Sequence, residues 1–155
     1  MNWLDYHQDR RLWAKLAEVT ARELVWLTRK RAQTLHLYVA PSQLDTLRSS
    51  MCLSGASSEH GQLLGVKPHE HITEGYLAYD DFEQLKEGLP HSPGLDPTAI
   101  IHLYRDLPFG TLPGNGQMPI AVAAADLAGS RETHEREQGL SWLERILTAL
   151  HDSLA

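Results

Sequence analysis

The chain has 155 residues, 42% of them apolar and 22% charged, a globular composition that excludes wholesale disorder and collagen-like repeats. At that length a protein buries roughly two-thirds of its unfolded surface and needs no staple; the single Cys52 excludes an intramolecular disulfide and any multi-cysteine metal cage. The formal net charge of −6 is the wrong sign for a general nucleic-acid binder.

The amino terminus is polar and charged within five residues, unlike a secretory leader. The longest strongly apolar run, Met118 to Ala125, is far short of the roughly 20 residues a membrane helix needs. We therefore expect one cytoplasmic globular domain over residues 1–155, with no nucleic-acid or membrane partner. Charge is segregated along it: eight Lys/Arg face five Asp/Glu in residues 1–52, and six face fifteen in the remainder.

In chain order, the spacing predicts a long amphipathic helix over about 3–32. Leu12, Leu16, Val19 and Trp26 form its stripe, Trp3 and Trp13 add aromatic load for the core, and Arg29, Lys30 and Arg31 stand at its carbonyl end. Alternation in Thr34–Val39 predicts a half-buried strand, stopped by Pro41. Ser42 and Asp45 then offer a capping box for a helix bearing Leu44, Leu47 and Met51. A polar loop at 54–75 is too long for a mere connector. Gly75–Tyr79 reads as a second strand, Asp80–Gly88 as a short helix, Ala99–Tyr104 as a third strand, and the small-residue run Met118–Ala125 as a buried fourth. Over 131–153 a last helix has solvated first turns, and then Leu140, Leu143, Leu147, Leu150 and Leu154 form a seam that closes the core or pairs with a second copy. The expected fold is α+β: an approximately four-stranded mixed sheet packed by the long N-terminal helix and the C-terminal amphipathic helix.

Chemistry concentrates in histidine, of which there are nine. His69 and His71 point the same way from an extended segment and Glu74 follows from a turn, a nitrogen and oxygen set that suits a divalent metal. The His-x-His followed by Glu resembles the first cupin motif, but the gap to Glu74 is two residues and no second motif follows, so that family is set aside. His36 and Tyr38 project together from the first strand, as His102 and Tyr104 do from the third. Neighbouring strands would bring them to one face under the 54–75 loop, with Tyr79 a further candidate.

Leu35 through Gly55 is similar to the opening strand and helix of ADP-ribosyltransferases. The resemblance implies a nicotinamide dinucleotide held by His36, with Tyr76 or Tyr79 as the second-strand group. Where that family has a glutamate, this chain offers only Asp126. Nucleotide-binding glycine signatures, a phosphate-binding Lys loop, a nucleophile elbow and a His-Glu-x-x-His zinc helix are all absent from the sequence. Cys52, at the end of a predicted helix, is in the wrong place for an activated thiolate.

Two functions follow as expectations. The first is an accessory protein without catalysis or cofactor, binding a protein partner, an acidic one at the basic N-terminal helix, and able to form a homodimer through the C-terminal helix. The second is a small enzyme with its site under the 54–75 loop, dependent on a divalent metal or using NAD as ADP-ribosyltransferases do.

Overall fold

The protein was analysed as a computed structural model, which describes residues 18–89, 95–105 and 118–154. In chain order the elements are α1 (Ala21–Leu27), β1 (Gln33–Leu37), α2 (Pro41–Ser50), β2 (Cys52–Leu53), α3 (Gly61–Leu64), β3 (Thr73–Ala78), α4 (Tyr79–Leu85), β4 (Ala99–Tyr104), α5 (Ile120–Ala128) and α6 (Thr133–Leu154). The four strands form one mixed sheet in the order β1-β4-β3-β2; β3 and β4 run parallel, and both outer pairs are antiparallel. The fold is α+β, with helices on both faces of the sheet.

Strand alternation divides the core in two. Odd-numbered Leu35, Leu77, Ile101 and Leu103 meet Leu47 and Met51 from the α2 region and Phe82 and Leu85 of α4. Even-numbered Tyr76 and Tyr104 turn to the other face, where Cys52, Leu127, Leu143 and Leu147 complete a second cluster. Leu143 and Leu147 of the leucine seam are therefore buried within the chain, with Leu140 and Trp142 packed beside them.

Several local expectations are corrected. The run from Met118 is a helix, not a strand: Pro119 occupies its N-cap position and α5 continues to Ala128. A short apolar run cannot separate strand from buried helix by period alone, and its alanines, the strongest helix formers, decide for helix. The fourth strand is instead the two-residue β2, paired to β3 at Cys52–Tyr76 and Leu53–Gly75. No continuous helix runs over 3–32. Thr20 is extended and accepts a hydrogen bond from the Glu23 amide as N-cap of α1, and the helix stops at Thr28; the Trp3, Leu12, Trp13 and Leu16 part of that stripe lies outside the described residues. Trp26 is 64% exposed, not core. The basic residues do meet the carbonyl end of α1, since Arg29 donates to the Trp26 carbonyl and Arg31 to the Thr28 carbonyl. Pro41 begins α2 at its first turn, and no side chain caps that helix, so the expected Ser42 cap does not form. The 54–75 segment carries a 3-10 turn at Gly55–Ser57 and the short α3.

Candidate functional site

Pairing of β1 with β4 and of β4 with β3 sets Thr34, His102 and Tyr76 in one row across the sheet, and His36, Ile100 and Glu74 in the next. These even-numbered side chains look toward α5 and the turn into α6. Between them opens a cleft of about 560 Å³, reached also by Arg31, His69, Asp126 and Glu135. That volume is in the range of small-molecule sites.

Two charged networks line it. In the first, the Asp126 side chain is fully buried and ion-paired to Arg31. It also accepts hydrogen bonds from the Tyr76 hydroxyl at 3.0 Å and the Ser54 hydroxyl at 2.5 Å. Arg31 donates in addition to the Tyr76 oxygen at 2.8 Å. Burial by itself works against the guanidinium charge, but Asp126 and Tyr76 outweigh it and the Arg31 pKa is raised. Burial, reinforced by Asp126, pushes the Tyr76 phenol far up, so Tyr76 stays a hydrogen-bond donor.

Beside this group, His102 Nε2 donates to the Glu74 carboxylate at 2.6 Å, and Nδ1 lies 2.9 Å from the Thr34 hydroxyl. Because Glu74 accepts, Nε2 carries the hydrogen. The neutral ring then accepts at Nδ1 from Thr34, and the protonated ring donates to the same oxygen. Tyr76 backs the imidazole with ring centroids 4.8 Å apart. Gly55 makes room for the dyad: its φ is +57°, and a Cβ there would come within 2.5 Å of a Glu74 carboxylate oxygen.

Burial disfavours the charged form of His102, yet the Glu74 hydrogen bond and the charges of Asp126 and Glu74 outweigh it, and the pKa is raised above 6.5. A histidine held higher in the folded state than in the unfolded one adds stability that is fully present below the unfolded pKa and lost as pH rises through the folded pKa. An NMR titration should therefore give His102 a midpoint above 6.5 in wild type and a lower one in Glu74→Gln, where burial persists without the carboxylate. A wild-type midpoint at or below 6.5 would contradict this assignment.

The second network lies at the start of α6. His69 Nε2 meets Glu135 Oε1 at 2.5 Å, the Ser130 hydroxyl donates to Glu135 Oε2 at 2.8 Å, and Glu135 is buried. The expected solvation of this first turn therefore fails at Glu135, which an inward-turning helix face carries beneath His69.

The structure redistributes the sequence candidates. His69, His71 and Glu74 do not converge: His69 goes to Glu135, Glu74 goes to His102, and the His71 side chain is 88% exposed, with Glu70 3.9 Å away. His36 is exposed at the cleft wall. Tyr38 lies beyond the end of β1. Tyr79 packs with the opposite core cluster under the Arg105 guanidinium, so Tyr76 is the tyrosine on the cleft side. Other histidines satisfy backbone carbonyls, His60 that of Met118 and His134 that of Gly65. Burial, with the Glu59 charge, pushes the Cys52 thiol up. Sequence reasoning missed Arg31, Ser54 and Glu135; Asp126, a lone acid ending an apolar run, was the one legible signal of a buried, partnered carboxylate.

Among the described residues, no helix is long and apolar enough to cross a membrane. Compared with protein-family models, curated proteins and solved structures, the chain matches none.

Proposed function

We propose that the protein is a small enzyme that binds an anion-bearing small molecule of nucleotide size in this cleft and uses His102 as its general acid–base. One observation carries the reading: Thr34, His102 and Glu74 form a hydroxyl–imidazole–carboxylate chain, held at 2.9 and 2.6 Å, on the wall of a 560 Å³ cleft. A hydroxyl beside an imidazole oriented by a carboxylate is the arrangement that group-transfer and hydrolytic enzymes use to move a proton. Glu74 holds the ring and stabilises its charged form; Nδ1 takes a proton from Thr34, or from a water or substrate hydroxyl in its place, and returns it to a leaving group.

The anionic preference rests on charge. Arg31 is engaged by Asp126, Glu74 faces His102 and Glu135 faces His69; Arg29 donates to the Trp26 carbonyl, and the exposed Arg131, on the cleft wall beside the exposed Glu132, offers a guanidinium to a phosphate or carboxylate.

Thermal shift against dinucleotides, mononucleotides and sugar phosphates tests this. A ligand at a hundredfold excess over its Kd stabilises by about 2.7 kcal/mol, and each kcal/mol moves the midpoint of a domain this size by roughly 2–4 °C. At least one compound class should raise Tm by several degrees and move the His102 resonances. Arg131→Ala should weaken that binding, and His102→Asn should bind without turnover. Absence of any shift across the panel would defeat the reading.

The accessory-protein reading has one observation of its own. Trp26 and Leu27 of α1 are exposed beside Arg29 and Lys30, a surface suited to an acidic partner with an apolar anchor. It predicts a stoichiometric partner in pull-downs that Trp26→Ala releases, with the cleft variants still binding.

A further inference from the structure

We infer that His69, Glu132 and Glu135 form a binding site for a divalent transition-metal ion, Zn²⁺ or Mn²⁺, at the edge of the cleft. The inference goes beyond the acid–base reading and does not depend on it.

Each of these residues offers one ligand atom, and the three atoms lie within 4.8 Å of one another, although His69 and the two glutamates are more than sixty residues apart in sequence. Glu132 immediately precedes α6 and Glu135 lies in its first turn, three residues on, and their carboxylates come to the same side of it. Glu135 is buried, its two oxygens aimed at His69 and Ser130. A buried carboxylate is costly unless paired; a divalent cation held between Glu135, His69 and Glu132 would compensate its charge directly.

The chemistry of the donor set agrees. One imidazole and two carboxylates suit a borderline ion such as Zn²⁺ or Mn²⁺ better than Mg²⁺ or Ca²⁺, which favour all-oxygen shells. A tetrahedral ion with ligands at about 2.0–2.2 Å separates donor atoms by about 3.4 Å. The His69–Glu135 pair must then open from 2.5 Å by about 1 Å. His69, half-buried on a loop, and Glu132, exposed, have the freedom to adjust. Three protein ligands leave a fourth position toward the cleft for water or a bound anion, the pattern of open metal sites.

A second three-residue group, Glu74, His102 and Asp126, also brings its donor atoms within 4.8 Å of one another. There Arg31 already neutralises Asp126 and would have to be displaced by the incoming ion. Among the described residues, no guanidinium is bonded to the His69 group.

Isothermal titration of the full chain with ZnCl₂ and with MnCl₂ is the test. One ion should bind per chain, and His69→Ala or Glu135→Gln should weaken it by more than the roughly 10–100-fold that losing an outer-shell partner costs. Glu132→Gln, at an exposed position, should weaken it without affecting the fold, as judged by circular dichroism. His71→Ala should bind as wild type. Three results overturn the site: no binding by folded wild type, binding indifferent to His69→Ala and Glu132→Gln, or binding lost in Glu74→Gln while it survives His69→Ala. Metal binding without any anionic ligand in the thermal panel would leave this site standing while the acid–base reading fell.

Discussion

Arg31→Ala should be among the most damaging substitutions in the protein, although Arg31 lies in a turn between α1 and β1. It leaves the fully buried Asp126 carboxylate with two hydroxyl donors and no cation in direct contact; His102 Nε2 is 3.8 Å away. Removing one partner of a buried ion pair costs about 3–5 kcal/mol, because the remaining charge keeps its desolvation penalty. With each kcal/mol worth roughly 2–4 °C at this size, Tm should fall by roughly 6–20 °C. The guanidinium is itself 24% exposed and can recover water, so Asp126→Asn should cost less than Arg31→Ala. The double variant should recover part of the loss, since the buried charge is gone. A denaturant-melt cycle of the four proteins measures this; equal, additive losses would show that the pair is not coupled.

The second large effect is expected at Gly139 in α6. An alanine there removes a helix-interior glycine, which by propensity alone favours the fold by about 1 kcal/mol. Packing reverses the sign. A Cβ at Gly139 would come within 2.4 Å of the Ala128 backbone nitrogen and 2.5 Å of the Ala124 carbonyl oxygen. Those atoms belong to the backbone of α5 and cannot swing aside. The two helices must separate, opening the cluster that holds Leu127 and Leu143. Overpacking of this kind costs about 1–3 kcal/mol, so Gly139→Ala should be destabilising on balance and Gly139→Val more so. Gly88→Ala, where nothing lies within 4 Å of the added methyl, is the control and should melt within about 0.5 kcal/mol of wild type. A Gly139→Ala variant as stable as wild type would mean that α5 and α6 do not approach this closely.

These two sites show how α5 governs the molecule. It packs against α6 through small residues and carries Asp126 into the cleft. As a fourth strand, the same run would have had neither role. Its alanines were the clue: an apolar stretch of eight reads either way by hydropathy, whereas helix propensity separates the two.

The elements whose side chains alternate or repeat strictly were legible from sequence. Ala99–Tyr104, the leucine seam of α6 and the Thr34–Leu37 part of the first strand read correctly, because periodicity of 2 or 3.6 is a local property; that strand ends at Leu37, short of the expected Val39. The α+β class follows from the mixture of such elements, whereas the fourth strand of the mixed sheet does not, since it is the two-residue β2 and the run read as that strand is α5. Even the shared face of His36 and His102 was foreseeable once β1 and β4 were taken as neighbours. What no local pattern contains is register and distance across the chain. Pairing Thr34 with His102 and His102 with Tyr76 joins three strands. Bringing Arg31 to Asp126 spans 95 residues, and bringing His69 to Glu135 spans 66. Read along the chain, His69, His71 and Glu74 looked like one ligand set; the fold sends them to three different places, because Glu74 alone lies on a strand, which turns it to His102, while the loop before it carries His69 to Glu135 and leaves His71 in solvent. Arg31 read as a helix terminus and Glu135 as a solvated turn, and both readings describe only their local backbone. Burial of their charges is decided by what packs over them, and that is a property of the tertiary structure alone.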